Sequence, residues 1–240
     1  MGEGSQRPEQ GYPERIDGRR FFLSTAISLL IFVLCLFPPA GDWAWPRGWL
    51  FLGVLLASST LVVLYLLRVN PDVIAGRVNP HGRPRTWDLL LGLLVALPSM
   101  LAIPIVSALD DGRYHWSRLS GWGCAFGYVL LLIGIAGMTW AEAVNRFFEP
   151  SVRIQTDRGH HVIDTGPYAI IRHPGYAFGF LLFLGMPLAL GSLVGLIPVA
   201  VLAFFLVVRT MLEDRTLQAE LPGYREYTRR VRYRLVPGLW

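Results

Sequence analysis

At 240 residues, with 53% hydrophobic content and only 16% charged residues, the chain is either one large soluble domain or a small membrane protein. Its apolar residues fall in long blocks almost free of charge, which argues for the membrane protein. The net charge of +5 comes from 22 arginines and no lysine, and their distribution follows membrane topology rather than a nucleic-acid surface. Residues 1–20 read as a disordered polar tail. Phe21–Pro39 is the first candidate span, with no cleavage site after it. The turn that follows contains Trp43 and Trp45, residues suited to the bilayer interface. A second span covers about Trp49–Leu67, and a polar connection runs from Arg68 to Arg85. The third span, Trp87–Leu109, carries Pro98 and Pro104 as expected kinks. Asp110–Gly121 reads as a polar loop and Trp122–Ala141 as the fourth span. Cys35 and Cys124 both lie in apolar blocks, so no disulfide framework is expected.

The run from Tyr176 to Val208 is too long for one crossing, since a single helix of that length reaches roughly 50 Å. Gly191-Ser192 and Gly195 supply a turn near its middle, so a helical hairpin is expected. Arginine placement agrees. With six spans and a cytoplasmic N-terminus, 19 arginines fall inside and three, Arg47, Arg113 and Arg118, fall outside. The fold expected is all-α and polytopic, with four spans in 21–141 and the hairpin inside a region 142–240 that carries the chemistry. Both termini are expected in the cytoplasm, and the membrane is expected to be a bacterial inner membrane. After Val208 the chain becomes amphipathic and leaves the membrane as a helix, which Pro222-Gly223 ends.

Polar residues concentrate just before the hairpin. Asp164–Tyr176 is turn-rich, and Pro174 suits the first position of a helix whose free amides make an anion site. Arg172 and His173 stand beside it. Topology brings Arg209 and Glu213, after the hairpin, back to the same surface as His173 and Tyr176. His160-His161 reads as a polar loop pair, because no cysteine or carboxylate completes a zinc spacing. Gly121-Trp122-Gly123-Cys124-Ala125-Phe126-Gly127 has the wrong spacing for a dinucleotide fingerprint and reads as helix packing.

Gly166-Pro167-Tyr168, Arg172-His173-Pro174-Gly175-Tyr176, Arg209 four before Glu213, and Gly223-Tyr224-Arg225-Glu226-Tyr227 together resemble the isoprenylcysteine carboxyl methyltransferase family and related membrane phospholipid methyltransferases. Gln155 and His160-His161-Val162-Ile163 fit the same pattern, and the likeness covers about residues 142–236. It implies S-adenosylmethionine as cofactor and a lipophilic acceptor entering from the bilayer. Cofactor contacts would come from Gln155, His160, His161, Val162, Ile163, Tyr168, Arg172, His173, Pro174, Gly175, Tyr176 and Glu213. Arg209 would face the acceptor, so Arg209 and Glu213 would carry the chemistry, with Asp214 supporting and no metal. Two other readings compete. One is an NADPH-dependent membrane reductase. The other is a non-enzymatic polytopic factor, which leaves the Arg-His-Pro and Arg209–Glu213 clusters without a purpose.

Overall fold

The computed structural model describes residues 17–78 and 84–240, and these are helical without a strand. The tail expected at 1–20 lies outside the described residues up to 16. Gly18–Arg20 already form a helical turn, because Asp17 accepts from the Arg19 and Arg20 N–H groups at 3.0 and 3.2 Å. In chain order the helices are α1 (Gly18–Ala40), α2 (Pro46–Val69), α3 (Pro71–Val78) and α4 (Thr86–Tyr114). They continue with α5 (Gly121–Val144), α6 (Pro174–Ala189), α7 (Leu196–Glu220) and α8 (Tyr224–Arg230). Five of them, α1, α2, α4, α5 and α7, are long and apolar enough to cross a bilayer, and α6 is a shorter apolar helix. With exposed leucines such as Leu30, Leu61, Leu94 and Leu132 facing outward, the chain is an integral membrane protein.

The expected hairpin is present as α6 and α7. Its turn sits at Gly191, where φ is +87°, a conformation that glycine adopts without a Cβ clash. At 16 residues α6 reaches only about 24 Å, short of the ~30 Å hydrocarbon core. The Pro174 end of α6 therefore lies near or below one membrane surface when its other end is anchored at the opposite one.

That opposite end is tied by polar contacts. Asp110, fully buried, accepts from the Ser117 N–H at 2.7 Å and from the hydroxyls of Ser117 at 2.5 Å and Ser192 at 2.6 Å. Asp111 accepts from the Trp45 indole at 2.9 Å and pairs with Arg47. These contacts revise the expected loop at Asp110–Gly121. Its first residues stay helical, in a widened π turn over Ala108–Tyr114, because the two aspartates find partners inside the bundle. A second π segment, Gly92–Ala96, ends two residues before Pro98. Proline there cannot donate to the carbonyl four residues back and crowds it, so the turn opens.

The α5–α6 pair is the close contact of the bundle. Gly134 lies against the Leu182 backbone, Gly127 against Leu188 and Ala189, and Gly185 against Leu131 and Gly127, leaving no room for a Cβ. Membrane helices associate through such small residues because lipid provides little hydrophobic drive between them. Gly127 thus belongs to the packing expected of the Gly121–Gly127 stretch, whereas a Cβ on Gly121 would meet nothing. This packing fixes the start of α6 against the end of α5, where the polar loop begins.

At the loop end, ion pairs join the first spans to the later ones. Glu142 at the end of α5 pairs with Arg77, and its carbonyl accepts from Asn70 Nδ2 at 2.6 Å. Asp88 on α4 holds Arg209 on α7 at 3.0 Å and caps the Val152 N–H at 2.8 Å.

Candidate functional site

The cavity at this end is walled by the loop after α5, the start of α6, one turn of α7 and the α8 region. Every expected cofactor residue except Pro174 lines it, together with Asn145, Phe147, Phe148, Tyr224 and Tyr227. The cavity holds about 120 Å³ and opens to solvent at its mouth. Pro174 instead forms the first residue of α6 and follows His173, whose φ of −125° leaves the helical region as a residue before proline must.

Gln155 is buried. Its Nε2 donates to the Phe147 carbonyl at 2.7 Å, and its Oε1 accepts from Arg158 at 2.8 Å. This residue ties the loop to itself and shapes the cavity wall. His160 and His161 flank the Phe147 ring, at 4.6 and 5.0 Å between centroids. Burial, reinforced by neighbouring His161, pushes the His160 imidazole down to about 4 from its usual 6.5. Neutral His160 can accept from the Gln155 N–H, 3.3 Å from Nδ1. The linkage has a definite sign. Above the unfolded value near 6.5 both states are neutral. As pH falls toward 4 the unfolded chain takes up a proton that the folded one resists, so stability drops across that window. The melting temperature in detergent should fall between pH 7 and 4.5, and His160→Gln should flatten that slope. An unchanged slope would mean His160 is not buried as described.

Tyr168 hydroxyl accepts from Asn145 Nδ2 at 3.0 Å, and its carbonyl accepts from Tyr227 at 2.7 Å. Burial raises the phenols of Tyr168, Tyr224 and Tyr227 above their usual range, so all three stay protonated and serve as hydrogen-bonding walls. Tyr176 hydroxyl donates to Glu213, whose other oxygen is 3.9 Å from His173 Nδ1. Residues 37 positions apart in the chain thus meet across the mouth of the hairpin. A Cβ on Gly175 would come within 2.6 Å of the Phe148 ring, so glycine is what lets that ring close over the start of α6. The N–H groups of Tyr176 and Ala177 turn back to the His173 carbonyl, and nothing among the described residues accepts from the Gly175 N–H.

Asp214 is the group that the sequence undervalued. It is fully buried, with Arg172 Nη1 at 3.3 Å, His173 Nε2 at 3.4 Å, Tyr224 hydroxyl at 3.2 Å, Gln218 Nε2 at 2.9 Å and Arg234 Nε at 3.0 Å. Arg172 accordingly points inward, to Asp214 and to the Arg232 carbonyl, rather than acting as a free arm at the mouth. Its Nε is buried without a partner. Arg209 does not pair with Glu213 four residues on. Its guanidinium meets Asp88, the Pro150 carbonyl and the Tyr176 ring, the last at 5.4 Å from the centroid. Asp88, Asn145, Phe148 and Arg234 were not singled out from the sequence. The run Asn145-Arg146-Phe147-Phe148-Glu149, polar and aromatic directly after a span, was the available signal for two of them. Among the described residues no group of three His, Cys, Asp or Glu side chains is placed to hold a metal.

A second, apolar groove adjoins the cavity and shares Tyr176 with it. Trp140, Ile170 and Phe178 line one part, and Val236, Leu239 and Trp240 another.

A polytopic helical membrane protein with a polar cavity closing on an apolar groove is the class that this fold defines. The sequence pattern of the phospholipid methyltransferase family matches residues 122–221, the stretch that contributes most of the cavity. The chain is 35% identical over 157 residues to the cobalt-zinc-cadmium resistance protein CzcN of Cupriavidus metallidurans, covering 63% of this chain and 68% of that one. It is 30% identical over 128 residues to the nickel-cobalt-cadmium resistance protein NccN of Alcaligenes xylosoxydans xylosoxydans, covering 52% of this chain and 56% of that one. The chain belongs to the phospholipid methyltransferase family and is a membrane methyltransferase of that family.

Proposed function

We propose that the protein transfers a methyl group from S-adenosylmethionine to a lipophilic acceptor at the membrane surface. The observation that carries this reading is the junction at Tyr176, where a polar cavity and an apolar groove meet. The cavity's donors and acceptors fit the cofactor's chemistry. Its carboxylate would find the Gly175 N–H at a helix start, with the Arg172 charge in the cavity wall beside it. Its ammonium would find Glu213, and its adenosine the walls made by Phe147, Val162, Ile163 and Tyr168. When bound, S-adenosylmethionine supplies an electrophilic methyl group.

The protein's part is then alignment and exclusion of water, since in-line displacement onto a carboxylate or thiolate needs no base. Tyr176 carries out the alignment. Its ring packs against the guanidinium of Arg209 and stacks on the His173 ring at 5.8 Å, and its hydroxyl is fixed by Glu213. Arg209 adds positive charge beside the groove, where an anionic acceptor head group would stop. A prenylcysteine-like carboxylate or another lipid head group meets those requirements. The pocket end faces the cytoplasm in this reading, on the side that holds 19 of the 22 arginines.

Binding of S-adenosylmethionine to purified protein, by calorimetry and by thermal stabilisation, tests the cofactor assignment. Saturable binding that Glu213→Ala weakens by about 1.5–3 kcal/mol is expected, the range for hydrogen bonds to a charged group. Binding of NADPH in its place would favour a reductase.

A further inference from the structure

The N–H groups of Arg172 and His173, the two residues before α6, donate to the carbonyls of Tyr233 and Arg234 at 2.9 and 3.0 Å. The Arg234 side chain continues past this pairing to Asp214, 3.0 Å away, on the oxygen opposite the one that faces Arg172 and His173. Its guanidinium also lies 5.2 Å from the centre of the Trp240 ring. Trp240 is held in turn, because its carbonyl receives the N–H groups of Arg234, Leu235 and Val236 at 2.9, 3.0 and 3.2 Å. Leu235, Val236 and Trp240 then form a wall of the apolar groove. One short segment therefore fixes the backbone at the helix start, completes the charge around Asp214 and shapes the neighbouring groove.

We infer that residues 232–240 are a strap that pre-forms the cofactor cavity, with Arg234 as its positioning residue. Arg234 does not line the cavity, so it acts through others. By sharing Asp214 it keeps that carboxylate from turning fully toward Arg172. By its own carbonyl it holds the His173 backbone in the non-helical conformation from which α6 starts. Without the strap, the Arg172 and His173 amides are released and the His173–Glu213 side of the cavity loses its fixed geometry. The strap's effect on cofactor affinity rests on the proposed function, whereas its hold on the start of α6 does not.

The test measures two quantities on each variant in detergent, S-adenosylmethionine affinity and hydrogen exchange of the Arg172 and His173 amides without ligand. Arg234→Gln should weaken binding at least tenfold and speed exchange at those amides at least tenfold. Arg234→Lys should recover part of both, and Arg229→Gln, an exposed charge on α8, should leave both unchanged. Chains ending after Arg234, which lack the Trp240 carbonyl and ring, repeat the test if Arg234→Gln does not fold. If the wild type binds the cofactor, affinity in Arg234→Gln within twofold of it overturns the inference. If the wild type does not bind, the cofactor reading has failed, and exchange alone decides the strap. Faster exchange then supports it, and unchanged exchange overturns it.

Discussion

Asp214→Ala is expected to destabilise the protein by about 3–5 kcal/mol, the range for removing one partner of a buried ion pair. Asp214 has no exposed surface, and the Arg172 side chain beside it is only 6% exposed. Deleting the carboxylate leaves the Arg172 charge buried with one weak carbonyl contact at 3.4 Å. Tyr224, Gln218 and Arg234 lose an acceptor at the same time. Asp214→Asn, which keeps the shape and one acceptor oxygen, should cost less. Its neighbour should behave differently. Glu213 has a side chain 21% exposed and faces the cavity, so Glu213→Gln should change stability by under about 1 kcal/mol while weakening cofactor binding. Thermal unfolding and cofactor titration on the two variants separate the roles. Equal stability losses would show that the two acids form one structural unit.

Arg209 and Asp88 form the second pair with a large expected effect. The side chains are 15% and 5% exposed, and Asp88 also accepts from the Val152 N–H, so the pair locks α4 to both α7 and the cavity loop. Arg209→Ala should cost about 3 kcal/mol of stability by leaving Asp88 buried and unpaired. It should also lower methyl transfer, because the guanidinium no longer backs the Tyr176 ring. Arg209→Lys keeps a charge but not the planar group that reaches Asp88, the Pro150 carbonyl and the ring together. Partial recovery is expected from it. A double-mutant cycle with Asp88→Asn should give a coupling of about 1–3 kcal/mol. A coupling near zero would free Arg209 for an acceptor alone, as the sequence reading had it.

Apolar block length and the Gly191-Ser192 turn made the six-helix arrangement legible, because membrane crossing imposes a length that sequence shows directly. Tyr176 meeting Glu213 followed from the hairpin returning to its starting surface. What sequence could not show is which acid pairs with which base. Arg209 stands four residues from Glu213, a spacing that suggests a helix pair, yet Asp88 takes its place 121 positions away. Arg172 and Asp214 were read from their chain neighbours, whereas burial decides their partners. Asp110 illustrates the same limit at the other end of the bundle. An aspartate beside Asp111 and Gly112 reads as loop until Ser117 and Ser192 close around it. Arg234 is one of seven arginines after Val208, and nothing in their spacing sets it apart.

The most direct test of methyl transfer is to incubate purified protein in detergent with methyl-labelled S-adenosylmethionine and a total lipid extract, then separate aqueous from lipid label. The same reaction is run with Glu213→Ala. The proposed function predicts label accumulating in a lipid-soluble product with wild type and falling at least tenfold with the variant. Label that stays in the aqueous phase with wild type, across extracts that include prenylated and phospholipid acceptors, would contradict it.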